Sequence, residues 1–196
     1  MFAAPRPTVY NGAVDFERVL QALLAEFDHC RIRYAAIGGF ALGVLGHVRA
    51  TMDLDFLVHR DDLDKLHERL TELGYGRIVR TENVSHYRHR EEAWGGVDFV
   101  HAFRESSLAM LGRAKSYPVF GEKQTLRTAD PEDVIGLKVQ AMTNDPERKP
   151  QESADIEALM RLHGSNLDWE RIQEFYDIFG VGEEAKKLRR RFARVK

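Results

Sequence analysis

Asp53 and Asp55 lie in the run Arg49-Ala50-Thr51-Met52-Asp53-Leu54-Asp55-Phe56-Leu57-Val58, one apolar residue apart and a short apolar segment downstream of the pair Gly38-Gly39. In an extended segment successive side chains leave opposite faces, so Met52, Leu54, Phe56 and Val58 are expected to enter a core while the two carboxylates emerge together. A rise of about 3.3 Å per residue sets their α-carbons about 6.5 to 7 Å apart. Left alone, carboxylates so close repel, and one tends to stay protonated. A hard divalent cation such as Mg2+ or Mn2+ removes that conflict, because such ions prefer oxygen ligands and a few waters. The chemistry this spacing suits is metal-assisted transfer at a phosphate. The plain alternative is an edge strand whose charges face water.

A third carboxylate interrupts the strand-like run Gly95-Gly96-Val97-Asp98-Phe99-Val100 and could reach the same point from a neighbouring strand. With two ions about 3.5 to 4 Å apart, one lowers the pKa of an attacking hydroxyl and the other stabilises a leaving pyrophosphate. Gly38 and Gly39, lacking β-carbons, let backbone N–H groups approach phosphate oxygens. Lys138 lies on a helical pattern whose buried side is Val134, Ile135, Leu137 and Ala141, so its stem can follow the core edge while its ammonium meets a phosphate. It can equally be a surface lysine. Arg148 and Lys149 follow an Asn-Asp-Pro turn and read either as phosphate contacts or as a solvated loop. Thr51 either braces the loop and serves the phosphate or is an ordinary threonine entering a strand. Asp155 either orients Lys138 or Lys149 or supports the first turn of its own helix. Asp53, Asp55 and Asp98 are thus the candidate metal ligands and catalytic groups, with Gly38, Gly39, Thr51, Lys138 and Arg148 as candidate nucleotide contacts.

The order Gly-Gly, short helix, Arg-Ala-Thr-x-Asp-x-Asp, later strand Asp resembles the nucleotidyltransferase superfamily related to DNA polymerase beta, and within it the AbiEii/AbiGii-type proteins, several of which are toxins of bacterial toxin–antitoxin systems. Leu137-Lys138-x-x-Ala141 and the segment from Arg148-Lys149 to Asp155 resemble further motifs of that family, so the matching pieces span residues 34–162. The resemblance implies a mixed β-sheet of the α+β class flanked by helices, with Mg2+ or Mn2+ as cofactor. The implied reaction transfers a nucleoside monophosphate from a nucleoside triphosphate to a hydroxyl of an RNA such as tRNA, a protein or a small molecule. A cognate antitoxin is the implied partner. Phe40 stands where many members carry Ser or Thr after the second glycine, so loop contacts to a triphosphate are expected from backbone alone. That substitution also keeps open a non-catalytic nucleotide-binding or protein-interaction module of the same fold. An antibiotic-modifying nucleotidyltransferase is the third reading.

These groups need elements to hold them. Apolar spacing predicts helices over residues 14–29, 40–45, 131–142, 153–162, 168–179 and 183–192, and one capped by Asp61 that carries Leu63, Leu66, Leu70 and Leu73. Strands are expected at 33–37, 53–58, 77–80, 85–89 and 97–102. Strands mixed with helices early and helices alone later imply a nucleotidyltransferase core over residues 1–125 and a C-terminal helical region over 126–196 packed on it.

At 196 residues the chain is long enough for one sizeable core. Hydrophobic content of 43% and charged content of 31% are ordinary for a globular protein. The single cysteine, Cys30, excludes an internal disulfide. No apolar run approaches the ~20 residues of a membrane span, and residues 1–11 lack the apolar core of a leader, so a cytoplasmic location without membrane contact is expected. His86, His89 and His101 match no zinc spacing, His86 and His89 reading instead as lining the cleft or a surface strand, and the Asp61, Asp62, Asp64 cluster lacks the glycine and distal glutamate of a calcium loop. Lys186, Lys187, Arg189, Arg190, Arg191, Arg194 and Lys196 form a basic C-terminal stretch that reads either as an RNA contact or as a solvated helix face.

Overall fold

The computed structural model describes residues 14–193; the N-terminal stretch, Arg194 and Lys196 lie outside the described residues. The fold is α+β, built on one mixed seven-stranded sheet flanked by helices. The first helix, α1 (Phe16–His29), starts where the Asp15 carboxylate accepts from the Arg18 N–H, and it buries Val19, Leu20, Leu23, Leu24 and Phe27 on one stripe. Strand β1 (Tyr34–Ile37) leads directly into the short helix α2 (Gly38–Val44), and β2 (Asp53–His59) returns antiparallel to β1. Helix α3 (Leu63–Glu72), β3 (Tyr75–Arg80) and β4 (Val84–His89) then carry the chain across to β5 (Gly96–Ala102), which runs parallel to β2. Next come α4 (Glu105–Arg113), β6 (Lys115–Val119) and β7 (Gln124–Thr128), followed by α5 (Pro131–Asn144), α6 (Lys149–His163), α7 (Trp169–Ile178) and α8 (Gly182–Phe192). The strand order is β3-β4-β5-β2-β1-β7-β6.

Two cores sandwich the sheet. Leu54, Phe56, Val58, Val97 and Phe99 face α1 and α3, with Phe56 stacked on Phe99 at 5.8 Å. Ala35, Ile37 and Leu57 face the C-terminal helices, where Val134, Ile135, Ile156, Leu159 and Tyr176 complete the second core. Strand β2 is therefore buried on both faces from Phe56 to Val58, while Asp53 and Asp55 near its start, and His59 at its end, are left half-open. The gap in the helical cover at Asp53 and Asp55 positions the site.

Several local expectations are corrected. Met52 is 52% exposed, because β2 begins only at Asp53. The Asp61 cap is replaced by a 3-10 turn, and the neighbouring Asp62 is instead buried as the anchor of Arg33, accepting from its N–H at 3.0 Å and its Nε at 2.8 Å. Helix α4 and the β6-β7 hairpin were not expected. Pro118 sits inside β6, tolerable because that strand is the sheet edge, and α4 buries only Met110 and Leu111. No helix of the described residues is long and apolar enough to cross a membrane.

Candidate active site

Strand pairing brings the three aspartates together. Asp55 is the register partner of Asp98 across the parallel β2-β5 pair, and Asp53 lies two residues earlier on the same face, opposite Gly96. A β-carbon at position 96 would collide with the Asp53 carboxylate, so glycine there leaves that side chain its place. On the other flank, Ile37 pairs with Asp55, and Gly38 turns the chain into α2 at φ +66°, with a β-carbon at 38 overlapping the Asp55 carboxylate. The Gly39 N–H donates to that carboxylate. Burial, then the charges of Asp98 and Asp53, push the Asp55 carboxyl up to about 6 despite the Gly39 bond and the distant charge of Lys138. Asp98 is held from the β4 side by His86, whose Nδ1 lies 2.8 Å from Asp98 Oδ1.

The donor set is three oxygen-bearing groups on adjacent strands, and burial together with the two neighbouring carboxylates disfavours the charge on Asp55. That chemistry fits a hard divalent cation. The carboxylates are not drawn onto a common point, since among the described residues no group of three His, Cys, Asp or Glu converges as a metal cluster. Asp53 leans over Gly96 and Asp98 is turned to His86.

Asp55 lines a cleft of about 580 Å3 together with Gly38, Gly39, Arg49, Lys138, Arg148 and Glu152, and Asp98 and Asp53 lie beside it on the sheet. The basic wall of the cleft is an ion-pair network around the buried Lys138, Glu152 and Asp155. Lys138 Nζ lies 2.7 Å from Glu152 Oε2 and 2.6 Å from Asp155 Oδ2, Arg49 Nε lies 3.2 Å from Asp155 Oδ2, and Arg148 Nη2 contacts Glu152 Oε1 at 2.5 Å. Three cations meet two carboxylates, so the network carries a surplus positive charge, and the arginines keep their outer edges toward the cleft with Arg148 mostly exposed. Lys138 itself is buried and committed to its two partners. Asp155 acts as an ion-pair partner rather than as helix dressing.

Thr51 donates its hydroxyl to the Asp53 carbonyl at 3.1 Å, bracing the entry to β2. Phe40 packs against Phe16 at 5.5 Å and Phe120 at 6.1 Å, on the side of α2 away from the carboxylates. His89 and His101 are structural: His89 Nε2 meets the Leu73 carbonyl at 2.8 Å, and His101 is bound by the Glu82 carbonyl and Ser85 Oγ. Arg49 and Glu152 were not candidates from sequence, and His86 was expected only to line the cleft or a surface strand, without a partner. Arg49 opens the Arg-Ala-Thr-x-Asp-x-Asp run and His86 alternates onto the face of β4 that meets Asp98, but Glu152 becomes visible only once α5 and α6 pack together.

Comparison with solved structures returns the same fold. The antibiotic-resistance factor ANT(2'')-Ia superposes with a TM-score of 0.61 at 17% identity, over 89% of this chain and 96% of that one. The lincosamide antibiotic adenylyltransferase LnuA in its lincomycin-bound form gives 0.55 at 16% identity, over 76% and 98%. An antigenic nucleotidyltransferase-like protein from Paracoccidioides brasiliensis gives 0.54 at 16% identity, over 91% and 94%. No protein of curated function matches the sequence. The family model described as uncharacterised nucleotidyltransferase matches residues 11–182, nearly the whole chain, and the protein belongs to that nucleotidyltransferase family.

Proposed function

We propose that the protein transfers a nucleoside monophosphate from a nucleoside triphosphate to a hydroxyl acceptor, at the cleft that Asp55 lines, with Asp53 and Asp98 next to it on the sheet. The observation that carries this reading is the side-by-side register of Asp55 and Asp98 on parallel strands, next to a cleft wall that carries Lys138, Arg49 and Arg148. Asp53 and Asp55 would hold the divalent ions, with Asp98 completing the first site. When bound, Mg2+ or Mn2+ supplies charge neutralisation for the phosphates and acidity to the attacking hydroxyl. The chain's own groups do the rest. Gly38, Gly39, Arg49 and Arg148 bind the triphosphate, while Lys138 keeps Glu152 and Asp155 neutralised so that both arginines stay aimed at the cleft. Thr51 fixes the loop that sets Asp53. Asp98, steadied by His86, takes the proton of the acceptor hydroxyl. The acceptor oxygen then bonds the α-phosphorus as the bond to the bridging oxygen breaks and pyrophosphate leaves.

The test is incubation with Mg2+, each α-labelled triphosphate and a set of acceptors comprising total tRNA and small hydroxyl compounds. Label transfer that disappears in Asp53→Asn is the expected result, and transfer that survives it contradicts the assignment. The motif order around Asp53 and Asp55 further supports a toxin of the AbiEii/AbiGii type. That reading adds two expectations: growth arrest on expression, and rescue by an antitoxin. The resistance factors of the same fold support a small-molecule acceptor, read out as resistance in cells that express the protein.

A further inference from the structure

Beyond Asp55 the cleft continues into a second cavity of about 240 Å3, sharing Asn83, Val100, Arg104, Leu137, Gln140 and Phe179 with it. The continuity follows from the strands: Leu57 and Val100 are the next residues on the faces that carry Asp55 and Asp98, and they are themselves register partners. One period-two step along a strand is about 6.6 Å, so a molecule seated over Leu57 and Val100 can present a hydroxyl to Asp98.

Its side of the site is informative. Gly38, Gly39 and Arg49 sit on the β1 flank of Asp55, whereas the chamber is built from β5, the loop after it, α4, α5 and α7. In-line displacement sets the attacking oxygen opposite the leaving pyrophosphate. With the triphosphate on the β1 flank, the chamber lies where the acceptor must approach.

Its walls are predominantly apolar, made by Leu57, Val100, Phe103, Met110, Leu137 and Phe175, with Asn83, Ser106, Ser107 and Gln140 as neutral polar groups. Among the described residues that line it none is acidic, and His101 has both ring nitrogens occupied. The one charged group is Arg104, at the junction of cleft and chamber, with its guanidinium 5.2 Å from the Phe103 ring and no carboxylate paired to it among the described residues. A dry apolar cavity of about 150 Å3 accommodates a benzene-sized ring. This chamber has room for such a ring and a substituent, offers nothing to neutralise a polycation, and lacks the basic groove that tracks a polynucleotide backbone.

We propose that the chamber is the acceptor subsite and that the acceptor is a small hydroxyl compound with a ring-sized apolar body, neutral or bearing one anionic group that Arg104 receives. This rests on the nucleotidyl-transfer reading above. The probe is 4-hydroxyphenylacetate, with neutral 4-hydroxybenzyl alcohol beside it, followed by saturation-transfer NMR on the full chain. Both are expected to bind. Ser106→Trp, which fills the mouth from an exposed position, should weaken both at least tenfold, and Arg104→Glu should weaken only the anionic probe by that factor. Phe179→Ala, which removes a wall without adding bulk, should weaken both about fivefold and serves if the tryptophan variant misfolds. Absence of probe binding to the native protein, or equal binding across the variants, overturns the proposal. So does label transfer to tRNA or to a polycationic amino sugar that Ser106→Trp leaves intact. Calorimetric titration of the native protein with ATP and Mg2+ separates the two claims: ATP bound without probe sinks the acceptor subsite alone, and probe bound without ATP sinks the transfer reading.

Discussion

Replacing Asp55 by Asn is expected to stabilise the metal-free protein at pH 8 while abolishing transfer. The Asp55 carboxyl is displaced from 3.8 to about 6, first by burial and then by Asp98 and Asp53. At about 1.4 kcal/mol per pH unit this corresponds to an upper bound of about 3 kcal/mol, which partial opening to solvent reduces to about 2 kcal/mol. Because the folded pKa lies above the unfolded one, the folded chain binds the extra proton between pH about 4 and 6. Stability therefore falls as pH rises through that window and is constant above it. Asparagine keeps the acceptor for the Gly39 N–H but carries no charge, so the stability of Asp55→Asn relative to the native protein should grow by about 2 kcal/mol from pH 4 to pH 8. Urea unfolding in EDTA across that range measures the difference. Adding Mg2+ at pH 8 should close the gap by stabilising the native protein more than the variant. A difference that stays the same at both pH values, or a variant destabilised throughout, would refute the claim that these carboxylates crowd one another.

Lys138→Met should cost about 3 to 5 kcal/mol in urea unfolding, because it leaves Glu152 and Asp155 buried without their shared cation; a loss below about 1 kcal/mol contradicts the network. Gly38→Ala is expected to destabilise by about 1 to 3 kcal/mol through its positive φ and its overlap with the Asp55 carboxylate, with label transfer falling more steeply than the melting temperature. Burial alone would raise the Asp62 carboxyl, but bonds from Arg33 and Lys65 outweigh it and hold it at about 2. Asp62 thus contributes stability above pH about 4 that is lost as pH falls toward 2, and Asp62→Asn should flatten the acid limb of the stability curve by about 2 kcal/mol.

The shared face of Asp53 and Asp55 was legible because strand alternation is a short-range rule, and the apolar run around Asp98 marked a second strand; the parallel pairing that sets Asp98 opposite Asp55 joins strands more than 40 residues apart and has no local signature. The two-sided burial of β2 was hidden, since Leu57 reads as the off-face residue of an alternating strand until the C-terminal helices cover it. The role of Lys138 was half legible. Its helix and buried side were foreseen, but its commitment to Glu152 and Asp155 depends on how α5 meets α6, and Arg49 reaches Asp155 across 106 positions of sequence. The chamber beyond Val100 has no local signature at all, being assembled from β5, α4, α5 and α7 by packing.

Titration with Mn2+ in the presence of a non-hydrolysable ATP analogue, followed by electron paramagnetic resonance, tests the central claim most directly. The account predicts nucleotide-dependent Mn2+ binding that weakens at least tenfold in both Asp53→Asn and Asp55→Asn, in folded proteins. Mn2+ binding that is absent from the native protein, or unchanged in those variants, would contradict it.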